Sequence, residues 1–361
     1  MSVKVSRETL EGLTDGWLRE DLDAWTRHVL RRHFDPENGS VHWLKKRAEL
    51  DFDPLEITRY DELSAFENFD LAVLRDSDPA DFVPQSVPRP LAGRVWESGG
   101  TTGKPCRAFY TQAMADHWAA WRHLGRRMAG FRTGGVWIDA CPSGPHLVGE
   151  EADHLADMYG STVYSIDLDP RWIKTLIRGG RLAEMQEYVD HVVEQIVDVL
   201  ETRPVDYLRT TPATVQALVN QRPELMAKLS GVYLGGTQFT PDAYRKFAEA
   251  MPDGVIGMTY GNTFGNANGM PSPDGGATLP YVPNFPHTTM TVVDRTEETR
   301  VVEYGQVGRV RLMVLHEDLF LPNVLERDQA VRFDTGDDWP CDGVANVQPL
   351  QVSADKPEGL Y

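Results

Sequence analysis

The chain has 361 residues, enough for two or three closely packed subdomains, and its 41% hydrophobic and 25% charged residues are typical of a globular protein. Its 36 basic and 54 acidic residues give a formal net charge of −18, which argues against nucleic acid as a partner, because phosphate backbones need a basic face. No apolar stretch approaches membrane length, the first residues lack the apolar run typical of a signal peptide, and the three cysteines are widely spaced. We therefore expect a cytoplasmic protein with reduced thiols and no membrane contact.

The first part of the chain has a helical pattern. Leu10, Leu13 and Trp17 recur at helical spacing. A proline-rich passage at residues 81–93 interrupts this pattern. We therefore expect residues 1–90 to form an N-terminal helical segment packed on the core.

The next part alternates between short apolar runs and amphipathic ones. Residues 181–202 predict a helix with one apolar face, and Thr111 is placed to cap another helix. The predicted strands are residues 136–141, 162–168, 205–211, 231–236 and 255–261. This alternation predicts an α/β core at residues 91–284, with a mostly parallel sheet covered by helices.

The character changes after residue 285, where helix signals almost disappear. Strands are predicted at residues 288–294, 300–304, 308–315 and 330–337. We expect a small β-rich, barrel-like subdomain at residues 285–343, followed by a polar tail at residues 344–361.

The most informative segment is a loop of serine, glycine and threonine that runs from Ser98 to Lys104. Its glycines allow backbone N–H groups to converge on an anion, and Lys104 adds positive charge, which favours a phosphate-binding loop. A P-loop is excluded because Ser98 replaces the first glycine and Pro105 replaces the hydroxyl residue after the lysine. The structural alternative is a polar hairpin turn.

This loop and Pro105 resemble the signature loop of the acyl-adenylate-forming superfamily, which includes acyl-CoA synthetases, luciferases and peptide-synthetase adenylation domains. The resemblance implies the fold of that family's large N-terminal domain and a loop that holds the pyrophosphate of ATP. The matching residues are Ser98, Gly99, Gly100, Thr101, Thr102, Gly103 and Lys104.

Further motifs of the same family follow in order. Gly235, Gly236 and Thr237 resemble a Gly-Gly-Glu turn that borders the nucleotide and the acyl group, with Thr237 in place of the acid. The run from Tyr260 through Gly261 and Asn262 to Thr263 resembles Tyr-Gly-x-Thr-Glu. The resemblance implies that Tyr260 packs on adenine and that Thr263 faces phosphate.

Asp337 belongs to the last of the family motifs along the chain. It ends a Thr-Gly-Asp sequence that resembles the family motif whose aspartate accepts hydrogen bonds from ribose hydroxyls. Each motif alone has an ordinary structural alternative, a core tyrosine or a turn. Their order along the chain favours the family resemblance.

Two features depart from the family pattern. Phe264 stands where the motif supplies a glutamate for Mg²⁺, and a phenyl ring cannot bind a hard cation. The metal ligands are therefore unknown: Thr102 with phosphate and water, or a carboxylate elsewhere, are the options. The chain also has no counterpart of the family's small C-terminal domain and its lysine, so we expect that domain to be absent.

Other residues have both a functional and a structural interpretation. His146 lies where the family lines its acyl pocket, or is a histidine with only local contacts. Asn262, with Asn266 and Asn268, either supplies neutral donors near the substrate or forms a turn-rich loop. Cys106 follows the phosphate loop, but nothing in its spacing to histidines favours a nucleophile.

We therefore expect an enzyme that uses ATP and Mg²⁺ to activate a small, aromatic carboxylic acid as acyl-AMP, with Lys104, Thr102 and Thr263 in catalytic roles. The acyl site is expected at His146, Gly235, Gly236 and Phe264.

The compact N-terminal part resembles the phenylacetate-CoA-ligase branch and the short adenylate-forming proteins of phenazine-antibiotic pathways. An acyl-accepting or reductase protein would then be a partner. The alternatives are a non-catalytic nucleotide-binding scaffold, or a CoA ligase completed by a separate C-terminal domain.

Overall fold

The computed structural model describes residues 7–99 and 104–350. Its α-helices are α1 (Arg7–Trp17), α2 (Leu22–Phe34), α3 (Val41–Arg47), α4 (Val73–Asp76), α5 (Gln112–Met128), α6 (Glu151–Tyr159), α7 (Pro170–Arg178), α8 (Leu182–Thr202), α9 (Pro212–Gln221), α10 (Pro223–Met226) and α11 (Pro241–Ala250). Short 3₁₀ helices cover Pro54–Glu56, Tyr60–Ala65, Pro79–Phe82 and Leu147–Glu150.

The strands fall into a hairpin and a large sheet. They are β1 (Gly93–Glu97), β2 (Arg107–Thr111), β3 (Val136–Asp139), β4 (Thr162–Ser165), β5 (Tyr207–Thr210), β6 (Gly231–Leu234), β7 (Val255–Gly261), β8 (Asn266–Gly269), β9 (Pro280–Pro283), β10 (Thr288–Val293), β11 (Val307–His316), β12 (Leu319–Phe333) and β13 (Gly343–Pro349). β1 and β2 pair only with each other, and the large sheet has the order β10-β11-β12-β13-β9-β8-β7-β6-β5-β3-β4.

The large sheet has a parallel and an antiparallel half that share β7. From β4 to β7 all pairs are parallel. The first half of β7 pairs with β6, from Val255 opposite Gly231 to Met258 opposite Leu234. Its last residues pair antiparallel with β8, where Gly261 lies opposite Asn266. The antiparallel half therefore begins before residue 284. The mixed α/β architecture predicted from the sequence is confirmed.

The predicted elements compare well with this topology in the parallel half. All five strands predicted there are present, and so are the helix at 182–202 and the cap of α5, where the Thr111 side chain accepts a hydrogen bond from Met114 N. The strand predicted at 300–304 is wrong, since only Val301 makes an isolated bridge to Val293. Residues 344–349 lie in β13 rather than in a tail.

The N-terminal helices pack on two parts of the core. Phe34 and Trp43 join a buried aromatic cluster with Phe320 of β12. Leu10 and Trp17 of α1 pack with Trp121 of α5. These contacts fix α5 between the N-terminal segment and the sheet, next to the β1–β2 hairpin.

Within residues 7–99 and 104–350, no helix combines the length and the apolar character that a membrane crossing requires.

Candidate functional site

The predicted site residues follow strands of the parallel half at their carboxyl ends. His146 comes after β3, Gly235 and Gly236 follow β6, and Gly261 ends β7. Because these strands are parallel, their carboxyl ends share one edge of the sheet, which is where open α/β sheets bind ligands. The structure thus brings the segments after β3, β6 and β7 to a common edge.

The turns after β6 and β7 need glycine. A Cβ atom on Gly235 would lie 2.3 Å from Thr259 Oγ1, so the turn after β6 packs directly against strand β7. Gly261 has a φ of +136°, and a Cβ atom there would lie 2.3 Å from the carbonyl oxygen of Gly265. Beyond Gly236, the hydroxyl of Thr237 is buried and has no hydrogen-bond partner in the described part of the chain. It is therefore a polar group that a ligand at this edge can engage.

The glycine-rich loop connects β1 to β2, and its two ends are fixed to each other. Ser98 N donates to Cys106 O and Cys106 N donates to Ser98 Oγ, both at 2.9 Å. Lys104 is exposed. The Cys106 thiol is buried and donates to Leu71 O at 3.4 Å, which favours a structural role over a nucleophilic one. The predicted phosphate-binding residues Gly100, Thr101, Thr102 and Gly103 lie outside the described residues.

Helix α7 holds the base of this loop. Lys174 Nζ donates to Gly99 O at 2.8 Å, and Arg171 forms an ion pair with Glu97 at the end of β1. A Cβ atom on Gly99 would lie 2.4 Å from Lys174 Nζ, so a larger residue there would displace the end of the lysine side chain. The lysine and the loop base are thus tightly packed.

His146 belongs to the same neighbourhood. The segment before it accepts a hydrogen bond, since Glu97 N donates to Pro145 O at 2.8 Å. Burial, followed by the charges of Arg171 and Lys174, lowers the pKa of His146 from its usual 6.5. His146 is therefore close to the loop base, as the sequence predicts for residues of one site.

Strand β12 brings two carboxylates to the Tyr260–Thr263 turn. Tyr260 OH donates to Asp328 Oδ2 at 3.0 Å, and Asn262 Nδ2 donates to Glu326 Oε1 at 2.6 Å. Burial, followed by the charge of Asp328, raises the pKa of Glu326 to about 7. Two acids held this close repel each other when both are ionised, which favours a cation or a hydrogen-bond donor between them.

The same strand reaches the glycine-rich loop. The residue between these acids, Arg327, is close enough to Lys174 for its charge to lower the lysine's pKa. Residues 326–328 therefore contact the Tyr260 turn through the two acids and lie within electrostatic range of the loop base through Arg327.

The amide of Asn262 has a structural role. Its Oδ1 accepts hydrogen bonds from the backbone N–H groups of Phe264 and Gly265, at 2.7 and 3.0 Å. With Nδ2 bound to Glu326, the side chain is fully engaged in shaping the turn. Asn268 is completely buried and donates to Trp121 O at 2.9 Å. A structural role is therefore favoured over substrate contact. Asn262 shapes the turn, whereas Asn266 and Asn268 lie in strand β8 rather than in a loop.

Phe264, which follows Thr263, borders a small cavity. Thr263 O accepts a hydrogen bond from Tyr110 OH at 2.7 Å, and Phe264 is 5% exposed. The cavity has a volume of about 30 Å³, enough for one or two water molecules, and Phe264 lines it together with Trp118 and His287. Phe264 therefore packs in the interior and leaves the carboxylate position of the family motif without an oxygen ligand.

Three histidines also line this cavity: His117, His287 and His316 lie with ring nitrogens within 4.8 Å of one another. Asp318 N donates to His316 Nδ1 at 3.1 Å, so in the neutral ring Nε2 carries the proton and donates to His117 Nδ1 at 2.8 Å. A metal would need the Nε2 lone pair of His316. The hydrogen bonds therefore favour a cluster of neutral imidazoles, whose pKa values burial lowers.

Asp337 is exposed in the connection between β12 and β13. The carboxylate that contacts Tyr260 is Asp328 instead. No sequence motif indicates Asp328, Glu326 or Lys174, since none stands in a glycine-rich segment. The available signal was the acidic pair at alternate positions of a strand, which places both side chains on one face.

Comparisons with known proteins were made at the levels of sequence and structure. No family model matches the chain, and no curated protein sequence matches it either. Solved structures do match. A 2-hydroxyisobutyryl-CoA ligase in the postadenylation state, in complex with R3-HIB-AMP, has a TM-score of 0.65 at 15% identity, over 90% of this chain and 65% of the ligase chain.

The same ligase in an open conformation, in complex with 2-HIB-AMP and CoA, has a TM-score of 0.63 at 14% identity, over 90% of this chain and 72% of that chain. The match covers almost all of the present chain.

The chain has the fold of the N-terminal domain of adenylate-forming enzymes. It spans about two thirds of the length of the ligases that it matches, 65% for the first of them. In this fold, the two ends of the loop after β1 are fixed to each other at Ser98 and Cys106, and the turn after β7 begins at Gly261.

The raised pKa of Glu326 predicts a pH-dependent stability. Its pKa of about 7 in the folded state exceeds the usual value of 4.5, so folded protein binds this proton more tightly than unfolded protein. The stabilisation is present below pH 4.5 and is lost as the pH rises toward 7. We expect Glu326→Gln to be more stable, relative to wild type, at pH 8 than at pH 5. The difference in free energy of unfolding between the variant and wild type should increase by up to about 2 kcal/mol from pH 5 to pH 8.

Glutamine keeps the oxygen that accepts from Asn262, so the variant isolates the charge. Chemical denaturation at the two pH values measures the effect, and Glu303→Gln at an exposed position is the matched control. Equal differences at pH 5 and pH 8 would contradict the burial of an ionisable Glu326.

Proposed function

We propose that this protein belongs to the adenylate-forming superfamily, binds ATP at the carboxyl edge of its parallel strands, and activates a carboxylic acid as acyl-AMP. The supporting observation is the course of β12, which places Asp328 against Tyr260 and Arg327 near Lys174. A residue next to the predicted phosphate loop and a residue predicted to bind the nucleoside are thus both near β12. The shared fold with ligases observed in complex with acyl-AMP compounds supports the same function.

The residues have complementary tasks in this proposal. Lys104 and the loop N–H groups, with Thr102, hold the pyrophosphate part of ATP, and Thr263 faces the phosphates. The Tyr260 ring packs on adenine. The ribose hydroxyls donate to Asp328, which is held by Tyr260 OH, whereas the sequence motif favoured Asp337.

The reaction needs no protein nucleophile. A carboxylate oxygen of the acid attacks the α-phosphorus, the bond to the pyrophosphate oxygen breaks, and acyl-AMP forms. The protein contributes by positioning the two reactants and by stabilising the charge on the leaving pyrophosphate. His146 and the Gly235–Thr237 turn border the acyl group, and the unpaired Thr237 hydroxyl is available as a donor to its carboxyl oxygen.

Magnesium fits this site only with ligands other than Phe264. Mg²⁺ prefers oxygen ligands and binds through one or two carboxylates together with phosphate and water. Glu326 of β12 contacts the Asn262–Phe264 turn and, with Asp328, supplies carboxylate oxygens near the position where the family motif has its glutamate. When bound, the ion would neutralise phosphate charge. Glu326 is the residue that we assign to hold it.

A small aromatic acid is the substrate that the sequence resemblance to the phenylacetate-CoA-ligase branch favours. The activated acyl group would then pass to an acceptor thiol, an amine or a reductase in a biosynthetic pathway, through a partner protein.

The second candidate is a nucleotide-binding homologue without catalytic activity. The observation that favours it is Phe264, which occupies the position of the metal-binding glutamate and packs in the interior. A CoA ligase that needs a separate C-terminal domain is the third, and adding candidate partner proteins to the assay below distinguishes it from the first.

The direct test is ATP–pyrophosphate exchange over a panel of aryl acids at high Mg²⁺. We expect exchange with at least one acid, and we expect Lys104→Ala to reduce its rate by about tenfold or more, since a charge-assisted contact to pyrophosphate is lost. ATP binding without exchange would support the non-catalytic homologue. Absence of both exchange and ATP binding would contradict the proposal.

The nucleoside contacts are tested by a pair of aspartate variants. Asp328→Asn should weaken binding of both ATP and AMP by about tenfold, because the ribose hydroxyls lose an ionised acceptor. Asp337→Asn, at an exposed turn, should leave both affinities within about threefold of wild type. Calorimetry measures the four affinities, and the reverse pattern would restore Asp337 as the ribose ligand.

A further inference from the structure

Lys174 is a buried ammonium group with few partners. It lies on α7, is 8% exposed, and its Nζ makes one hydrogen bond, to Gly99 O. An ammonium group carries three donors, so two N–H groups have no acceptor among residues 7–99 and 104–350. Burying an ammonium group without a counter-ion is costly, and such groups are normally paired.

The charges that act on the pKa of Lys174 are all positive. Burial, followed by the charges of Arg178, Arg327 and Arg171, lowers the pKa of Lys174 to about 8. No carboxylate in the described part of the chain forms an ion pair with Lys174. The chain has a net charge of −18, yet four cationic residues lie at the base of its glycine-rich loop.

Three arginines lie near Lys174. Arg171, Arg178 and Arg327 are exposed, Arg171 is paired with Glu97, and Lys174 Nζ contacts the Gly99 backbone. A di- or triphosphate brings several charges and many acceptor oxygens to such a group. The electrostatics at Lys174 therefore favour a polyphosphate as the ligand.

We propose that Lys174 binds the pyrophosphate part of the nucleotide at the base of the glycine-rich loop, next to Gly99. This inference rests on the proposed function, because it assigns a further residue to the same phosphate site. Lys174 keeps its bond to Gly99 O and uses its two remaining N–H groups for phosphate oxygens. It acts both as a phosphate ligand and as the residue that fixes the loop base.

Its neighbour His146 faces the same charges, but the pKa of His146 is lowered from 6.5, so this ring is uncharged above pH 7. Glu97 is paired with Arg107 and Arg171, its pKa is lowered from 4.5, and it stays ionised. Among these groups only Lys174 changes charge between pH 7.5 and 9.

The experiment compares wild type with Lys174→Met and the control Lys228→Met. Lys228 is exposed and precedes β6, at the opposite end of the parallel strands. Calorimetry with ATP, inorganic pyrophosphate and AMP gives the affinities. We expect Lys174→Met to weaken ATP and pyrophosphate binding by about ten- to a hundredfold, to change AMP binding by less than about threefold, and Lys228→Met to change none of them.

A second readout uses wild-type protein alone, so it does not depend on the folding of the variant. Because binding requires the charged ammonium, the affinity for pyrophosphate should fall by about five- to tenfold between pH 7.5 and pH 9. AMP affinity should stay nearly constant over this range. In Lys174→Met the pH dependence for pyrophosphate should disappear.

The outcomes separate this inference from the proposed function. If wild type binds ATP while Lys174→Met binds ATP and pyrophosphate equally well, and pH has no effect, the lysine is only a structural anchor and the inference is overturned. If wild type binds neither ATP nor pyrophosphate at any pH, the proposed function itself fails, and this inference fails with it.

Discussion

The structure depends on one strand that pairs in two ways. β7 is parallel to β6 along its first half and antiparallel to β8 along its last residues. This change of partner joins the parallel half to the antiparallel half in one sheet. It also leaves Tyr260 and Gly261 at the junction, where the carboxyl edge of one half meets β12 of the other. A site at this position can draw residues from both halves.

Charged residues of opposite sign lie on the two sides of the junction between β7 and β12. The chain is strongly acidic as a whole, yet the region around Gly99 gathers Lys174 and three arginines. On the other side of Arg327, the acids Glu326 and Asp328 face the Tyr260 turn. Cations lie near the loop predicted for phosphates, and acids lie near the residues predicted for the nucleoside and the metal. This polarity is what a nucleotide, with an anionic tail and a diol, requires.

The sequence predicted the parallel half well because its strands are short apolar runs separated by amphipathic helices, a strong periodic signal. It did not predict β8 or β9, since Asn266–Gly269 and Pro280–Pro283 contain residues that are rare in strands and are fixed by long-range pairing. The glycine motifs identified the turns, but Lys174 and Asp328 become recognisable only when α7 and β12 are folded against them. Their role depends on tertiary contacts.

The measurement that tests the central claim most directly is a crystal structure with a non-hydrolysable ATP analogue and Mg²⁺. The account predicts a triphosphate between the glycine-rich loop and α7, with phosphate oxygens within hydrogen-bond distance of Lys174 Nζ and the ribose hydroxyls on Asp328. An analogue bound away from the β7–β12 junction, or no bound analogue at concentrations that saturate known adenylate-forming enzymes, would contradict it.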